Sequence, residues 1–96
     1  MIQQITITTE TPETVKPIVQ VAIQNELKTL RHGIGRTREQ LASFEQRFGM
    51  PSEDFARRFN AGEIEETLDT IEWLMEIEAL RLLENDYNAL REARFD

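Results

Sequence analysis

The stretch from Ile23 to Phe48, IQNELKTLRHGIGRTREQLASFEQRF, decides the fold. Its apolar residues Ile23, Leu27, Leu30, Ile34, Leu41, Phe44 and Phe48 follow alternating steps of four and three once Thr37 is counted in the same row. Only a helix brings such positions onto one side, and the row reads as a coiled-coil seam of about three and a half heptads. The phase is unchanged across His32-Gly33-Ile34-Gly35, although each glycine weakens a helix by about 1 kcal/mol. One continuous helix is expected, with a break at residues 33–35 as the alternative.

Upstream, Thr11 can cap the helix, Pro12 suits its first position and Glu13 suits the positive end of its dipole. Pro17 either kinks the first turns or marks a later start. A helix over 12–48 would be about 55 Å long. Downstream, Gly49 can close the helix and Pro51 cannot continue it. Ser52 then stands where it can cap a short helix, 52–60, with Glu53 and Asp54 in its first turn and Phe55 and Phe59 on its buried side. After Asn60-Ala61-Gly62 comes a second long helix, 63–93, of about 46 Å. It carries two apolar stripes: Leu68, Ile71, Met75, Ala79, Leu82, Ala89 and Ala93 form one, and Trp73, Ile77, Leu80, Leu83, Tyr87 and Leu90 form the other. One neighbour needs one stripe, so two stripes point to two neighbours and to a homodimer in which two hairpins close a bundle. The short link between the long helices makes them antiparallel. Leu41 is expected level with Leu68 to Ile71, Leu30 near Leu80 to Leu83, and Phe55 and Phe59 at the closed end.

At the N-terminus, residues 2–9 read as a β-strand, because Ile5-Thr6-Ile7-Thr8 alternates apolar and polar residues and is β-branched throughout. A strand needs a partner for its backbone groups, and the rest of the chain offers none of similar quality. This strand is therefore expected to pair with its copy or with another protein, with Ile5 and Ile7 on its apolar side. The fold class that results is mainly α, in a single domain over 1–96: an N-terminal strand, a long helix, a short helix and a second long helix folded back as an antiparallel helical hairpin.

Ninety-six residues make one domain at most, and a chain this short buries only a modest share of its surface, for which oligomerisation is a common remedy. Cysteine is absent, which removes disulfides and thiolate metal sites and fits a reducing compartment. No apolar run exceeds three residues, Val21 to Ile23 and Trp73 to Met75 being the longest, so no membrane span is expected. Met1-Ile2-Gln3-Gln4 lacks the basic and apolar regions of a signal peptide, and the expected compartment is the cytoplasm.

Charge is divided unevenly. Residues 1–48 carry six Lys/Arg and five Asp/Glu, whereas residues 49–96 carry five Arg and thirteen Asp/Glu. An acidic chain repels phosphate backbones, so nucleic acid is not an expected partner, and the acidic half suits a basic protein. Glu65, Asp69, Glu72 and Glu76 follow steps of four, three and four and would form one acidic row on a helix. Such a row can be a solvated face, an ion-pairing partner for Lys28, Arg31, Arg36 and Arg38 across the hairpin, a docking stripe for a basic protein, or a Mg²⁺ site. Catalysis needs groups converging from several elements, and this is one row on one helix. His32 is the only histidine; without cysteine it makes a poor basis for a zinc or nucleophile site. The basic run from Lys28 to Arg38 has no aromatic residue for stacking on single strands, and Gly33-Ile34-Gly35 lacks the residues of a phosphate loop. No cofactor, metal or catalytic residue is expected.

Two family resemblances are present. The order Ile5-Thr6-Ile7-Thr8, then Thr11-Pro12-Glu13, then Gly33-Ile34-Gly35-Arg36-Thr37 resembles ribbon-helix-helix DNA-binding proteins. That resemblance implies a dimer whose paired strands read the major groove, here through Gln4, Thr6 and Thr8. The second resemblance covers residues 39–92. Phe44-Glu45-Gln46-Arg47-Phe48-Gly49-Met50-Pro51-Ser52-Glu53-Asp54-Phe55, then Phe59-Asn60-Ala61-Gly62-Glu63, then Ile71-Glu72-Trp73, is similar to a group of small prokaryotic helical proteins of the antitoxin type. It implies a protein that binds and blocks a toxin, often a ribonuclease with a basic active site. The leading expectation is a non-enzymatic protein-binding module, an antitoxin of a toxin–antitoxin pair, acting as a dimer. Its protein-binding residues would be Glu65, Asp69, Glu72, Glu76, Ile5, Ile7, Trp73 and Ile77. The alternatives are a dimeric DNA-binding regulator of the ribbon-helix-helix type and a self-associating structural protein.

Overall fold

The computed structural model describes residues 4–93. They form three helices: α1 (Pro12–Phe48), α2 (Ser52–Asn60) and α3 (Leu68–Arg91). α1 is unbroken at Pro17, Gly33 and Gly35. Its buried residues, Leu27, Leu30, Ile34, Thr37, Leu41 and Phe44, are positions of the four–three row, so packing on one side holds the helix through its weak positions. Gly33 has a use of its own. A Cβ there would stand 3.5 Å from both terminal methyls of Leu83 in α3, so the glycine marks the close approach of the two long helices.

α1 ends at Gly49, which adopts a left-handed conformation (φ 68°, ψ 31°) and donates its N–H to the Glu45 carbonyl at 2.8 Å. Glycine takes that conformation without the steric cost a Cβ brings. The Glu45 carboxylate then reaches across the turn and accepts the Ser52 N–H at 2.6 Å, so one residue serves the end of α1 and the start of α2. The expectation that Ser52 caps α2 is not met. Its hydroxyl instead accepts the Trp73 indole N–H at 2.9 Å, and Pro51 precedes the helix in an extended conformation.

α3 starts at Leu68, five residues later than the reading of 63–93, and ends at Arg91. The cause of the late start is a reciprocal cap. The Thr70 N–H donates to the Thr67 hydroxyl at 3.1 Å, and the Thr67 N–H donates to the Thr70 hydroxyl at 2.8 Å. Two of the helix's free N-terminal donors are satisfied at that point. The register of the hairpin moves accordingly. Phe44 stacks on Trp73, Arg47 bonds Asp69 and Gly33 lies at Leu83, so the helices are antiparallel. Leu41 therefore lies further along α3 than the expected Leu68 to Ile71, and Leu30 lies beyond Leu83 toward Tyr87.

The expected strand over 2–9 is overturned for residues 4–9, where no strand forms; residues 2 and 3 lie outside the described residues. Ile5 is 93% exposed and Ile7 is exposed too. Alternation supplies a face, but a strand also needs a second strand to accept its backbone bonds. The described chain is otherwise helix and turn, and the groove-reading ribbon of the first resemblance goes with the strand.

Trp73 organises the closed end of the hairpin. It is 0% exposed. Phe55 of α2 stacks on it with ring centroids 3.8 Å apart and planes 4° from parallel, and Phe44 and Phe48 of α1 stack at 5.7 and 5.3 Å. Leu41 completes the buried cluster, and Met50, Phe59, Ile64, Leu74, Ile77 and Leu80 lie around it. One side chain thus joins all three helices, with its polar end satisfied by Ser52. Replacing a buried Trp by Ala costs about 3–5 kcal/mol, a large share of the roughly 5–15 kcal/mol that holds a domain together. Trp73→Ala should therefore lower the urea midpoint sharply, read by circular dichroism at 222 nm; an unchanged midpoint would show that the aromatic cluster is not what secures α2 and α3 to α1.

Candidate functional site

The two apolar stripes of α3 have different fates. Trp73 is buried, Ile77, Leu80, Leu83, Tyr87 and Leu90 are half-buried, and contacts of this stripe reach α1 at Phe44 and Gly33. The other stripe looks away. Leu68 is 81% exposed and Met75 66%, and Ile71 and Leu82 are exposed as well. Their steps of three, four and seven keep them on one side of the helix, with half-buried Ala79 between Met75 and Leu82. α3 is thus apolar on two sides, with α1 covering one.

The outer row is bordered by acids, though not by the row of four that spacing alone suggests. Glu65 lies before α3 begins, in the irregular segment, where its carbonyl accepts the Thr70 hydroxyl at 2.9 Å. Asp69 is turned back to α1 and accepts Arg47 at 2.8 Å. Glu72 is exposed and Glu76 half-buried on α3, and among the described residues no ion pair engages Glu65, Glu72 or Glu76. Across the hairpin, Arg38 meets Glu84 at 3.4 Å, not the acidic row. Both inter-helix pairs are substantially exposed and add little to stability. Glu78 is paired with Arg81 one turn on; that hydrogen bond holds its carboxyl below the usual range.

Of the residues singled out from sequence, Trp73 belongs to the protein's own core, and Ile77 borders it. Neither belongs to the outward face, because the register turns their stripe toward α1. Ile5 and Ile7 are exposed but carry no strand. Leu68, Ile71, Met75 and Leu82 take their place. Sequence spacing identifies that stripe as apolar; which stripe α1 would cover depends on the register, which the Thr67–Thr70 cap sets.

The basic run of α1 lies along shallow depressions, one lined by Lys28, Arg31, His32, Gly35, Arg36 and Glu39, the other reaching Arg38, Glu84 and Tyr87. Both are open to solvent and neither brings a carboxylate pair or nucleophile to a closed cleft. Among the described residues no group of three or more His, Asp or Glu is placed to hold a metal ion, and no helix is long and apolar enough to cross a membrane.

The molecule is also one helix layer thick. It measures 58 × 27 × 18 Å with a radius of gyration of 18.8 Å, against about 12–13 Å for a compact domain of this length. Domains ordinarily bury their helices between two layers. Comparisons with protein families, curated proteins and solved structures give no match.

If the outer row is surface and not core, replacing it should leave the hairpin standing. At low micromolar concentration, Leu68→Gln together with Met75→Gln should keep the helical spectrum and shift stability by no more than about 0.5 kcal/mol, as surface changes do. Unfolding of this variant would place the row inside the hairpin's own core.

Proposed function

We propose that this chain is a cytoplasmic, non-enzymatic protein-binding module, and that the outward face of α3 is its docking surface. The observation that carries the reading is the exposed row Leu68, Ile71, Met75 and Leu82 on a helix whose opposite side is already packed. Large apolar side chains exposed along one side of a helix on a small protein suit an interaction surface. Glu72 lies beside the row, half-buried Glu76 lies nearer the packed side and Glu65 precedes the helix, all without an ion-pair partner among the described residues. An apolar centre with an acidic rim suits a basic protein: the centre supplies affinity and the rim supplies steering and selection against acidic competitors.

The resemblance to antitoxin-type helical proteins gives this reading its specific form, a chain that occludes a toxin with a basic active site. The residues of that resemblance, Phe44, Phe48, Ser52, Phe55 and Trp73, build the closed end of the hairpin. They act as scaffold, and the docking residues lie on the other side of α3.

The test is co-purification with the product of the neighbouring gene. Glu72→Lys with Glu76→Lys should abolish co-purification of a basic partner while leaving the circular dichroism spectrum intact, and binding by the unaltered protein should weaken as salt rises. Undiminished co-purification by the reversed variant would contradict the docking surface as drawn.

A further inference from the structure

The outer row of α3 has a period as well as a polarity. Leu68, Met75 and Leu82 are seven residues apart, and Ile71 follows Leu68 by three. All four are exposed. A seven-residue repeat with an inserted step of three is the seam by which one helix packs along another at a shallow angle. The molecule already uses that spacing once: the four–three row of α1 is the row that is buried in the hairpin.

The row also has sockets. On a helix, residues i, i+3, i+4 and i+7 are the corners of one diamond, and a side chain of a neighbouring helix inserts between them. Leu68, Ile71, Glu72 and Met75 make one diamond. Met75, Glu78, Ala79 and Leu82 make the next, with half-buried Ala79 set between larger side chains. Each diamond is apolar at three corners and acidic at the fourth, and Glu72 and Glu78 are exposed. Glu72 has no ion-pair partner among the described residues, and Glu78 pairs only with exposed Arg81 of its own helix, a contact that adds little.

This side of α3 offers a partner side chains alone. Its backbone groups are bonded within the helix, so an incoming strand finds no edge to pair with. A segment that covers the row has to satisfy its own backbone, and a helix does so.

Resting on the docking face proposed above, we infer that the segment seated on it is an amphipathic basic helix, whose large apolar side chains, seven residues apart, enter the two sockets while Lys or Arg beside each meets Glu72 and Glu78. The contact runs for about 21 Å from Leu68 to Leu82. The two carboxylates fix its register, because a helix shifted by one turn leaves them opposite apolar residues.

The probe is a synthetic peptide of about three heptads with Leu repeating at steps of three and four and Lys flanking it. The control has the same composition with Leu and Lys alternating, so a surface that merely attracts cations binds both alike. The heptad peptide should bind the intact chain about tenfold more tightly than the control. Ala79→Leu adds apolar area and would strengthen a flat hydrophobic contact. By filling a socket it should instead weaken binding of the heptad peptide about tenfold, whereas Ala79→Ser keeps the socket open and should stay within about twofold. Glu78→Lys, at an exposed position, should weaken binding in the same way and decides the matter if Ala79→Leu disturbs the circular dichroism spectrum. Equal binding of the two peptides, no binding of either, or undiminished binding by a folded Ala79→Leu variant would overturn the helix. Equal binding that is lost on Glu72→Lys removes the helix and leaves the docking face in place, whereas binding that no change on α3 alters removes the face itself.

Discussion

The structure depends on the burial of one indole. Trp73 is stacked against Phe55, Phe44 and Phe48, and its N–H is taken by Ser52. Stacked aromatic pairs add about 0.5–1.5 kcal/mol each beyond the area they bury, and here they come from three helices. A two-helix hairpin of unequal arms has no other point at which all its elements meet. Fixing Trp73 fixes the rotation of α3, and that rotation decides which apolar stripe faces α1 and which faces outward.

The position of Trp73 is in turn set by how α3 begins. The Thr67–Thr70 cap holds residues 63–67 out of the helix, so α3 presents Trp73 to Phe44 and Asp69 to Arg47. Had the helix started at residue 63, the same stripes would have met α1 about a turn and a half out of register. Local capping chemistry thus determines which side chains are left for a partner. The result is a scaffold at the closed end, an exposed apolar row on the outer side of α3 and a length of α1 that extends past α3 at the open end.

Much of this is legible in the residues, for definite reasons. The four–three row of α1 survives two glycines because burial on one side outweighs propensity, and periodicity reports burial. Gly49 reads as a helix end because its conformation favours glycine. Residues 4–9 mislead because alternation reports only one of the two things a strand needs; the ladder partner is a property of the whole fold. The start of α3 misleads because Thr–Thr capping is a weaker signal than the usual Ser/Thr with Glu, and the acids at 63, 65 and 66 imitate the first turn of a helix. The role of Trp73 as core and not docking residue follows from register, which spacing within one helix leaves open.

The central claim is that this hairpin is half of a packed structure whose other half is protein. Hydrogen–deuterium exchange of the backbone amides with and without a basic protein partner tests it most directly, because exchange reads local opening segment by segment. Amides of residues 68–82 should gain protection when a basic partner is added, while the segment around Trp73 stays protected throughout. Exchange in residues 68–82 that is unchanged by the added basic partner would contradict the account.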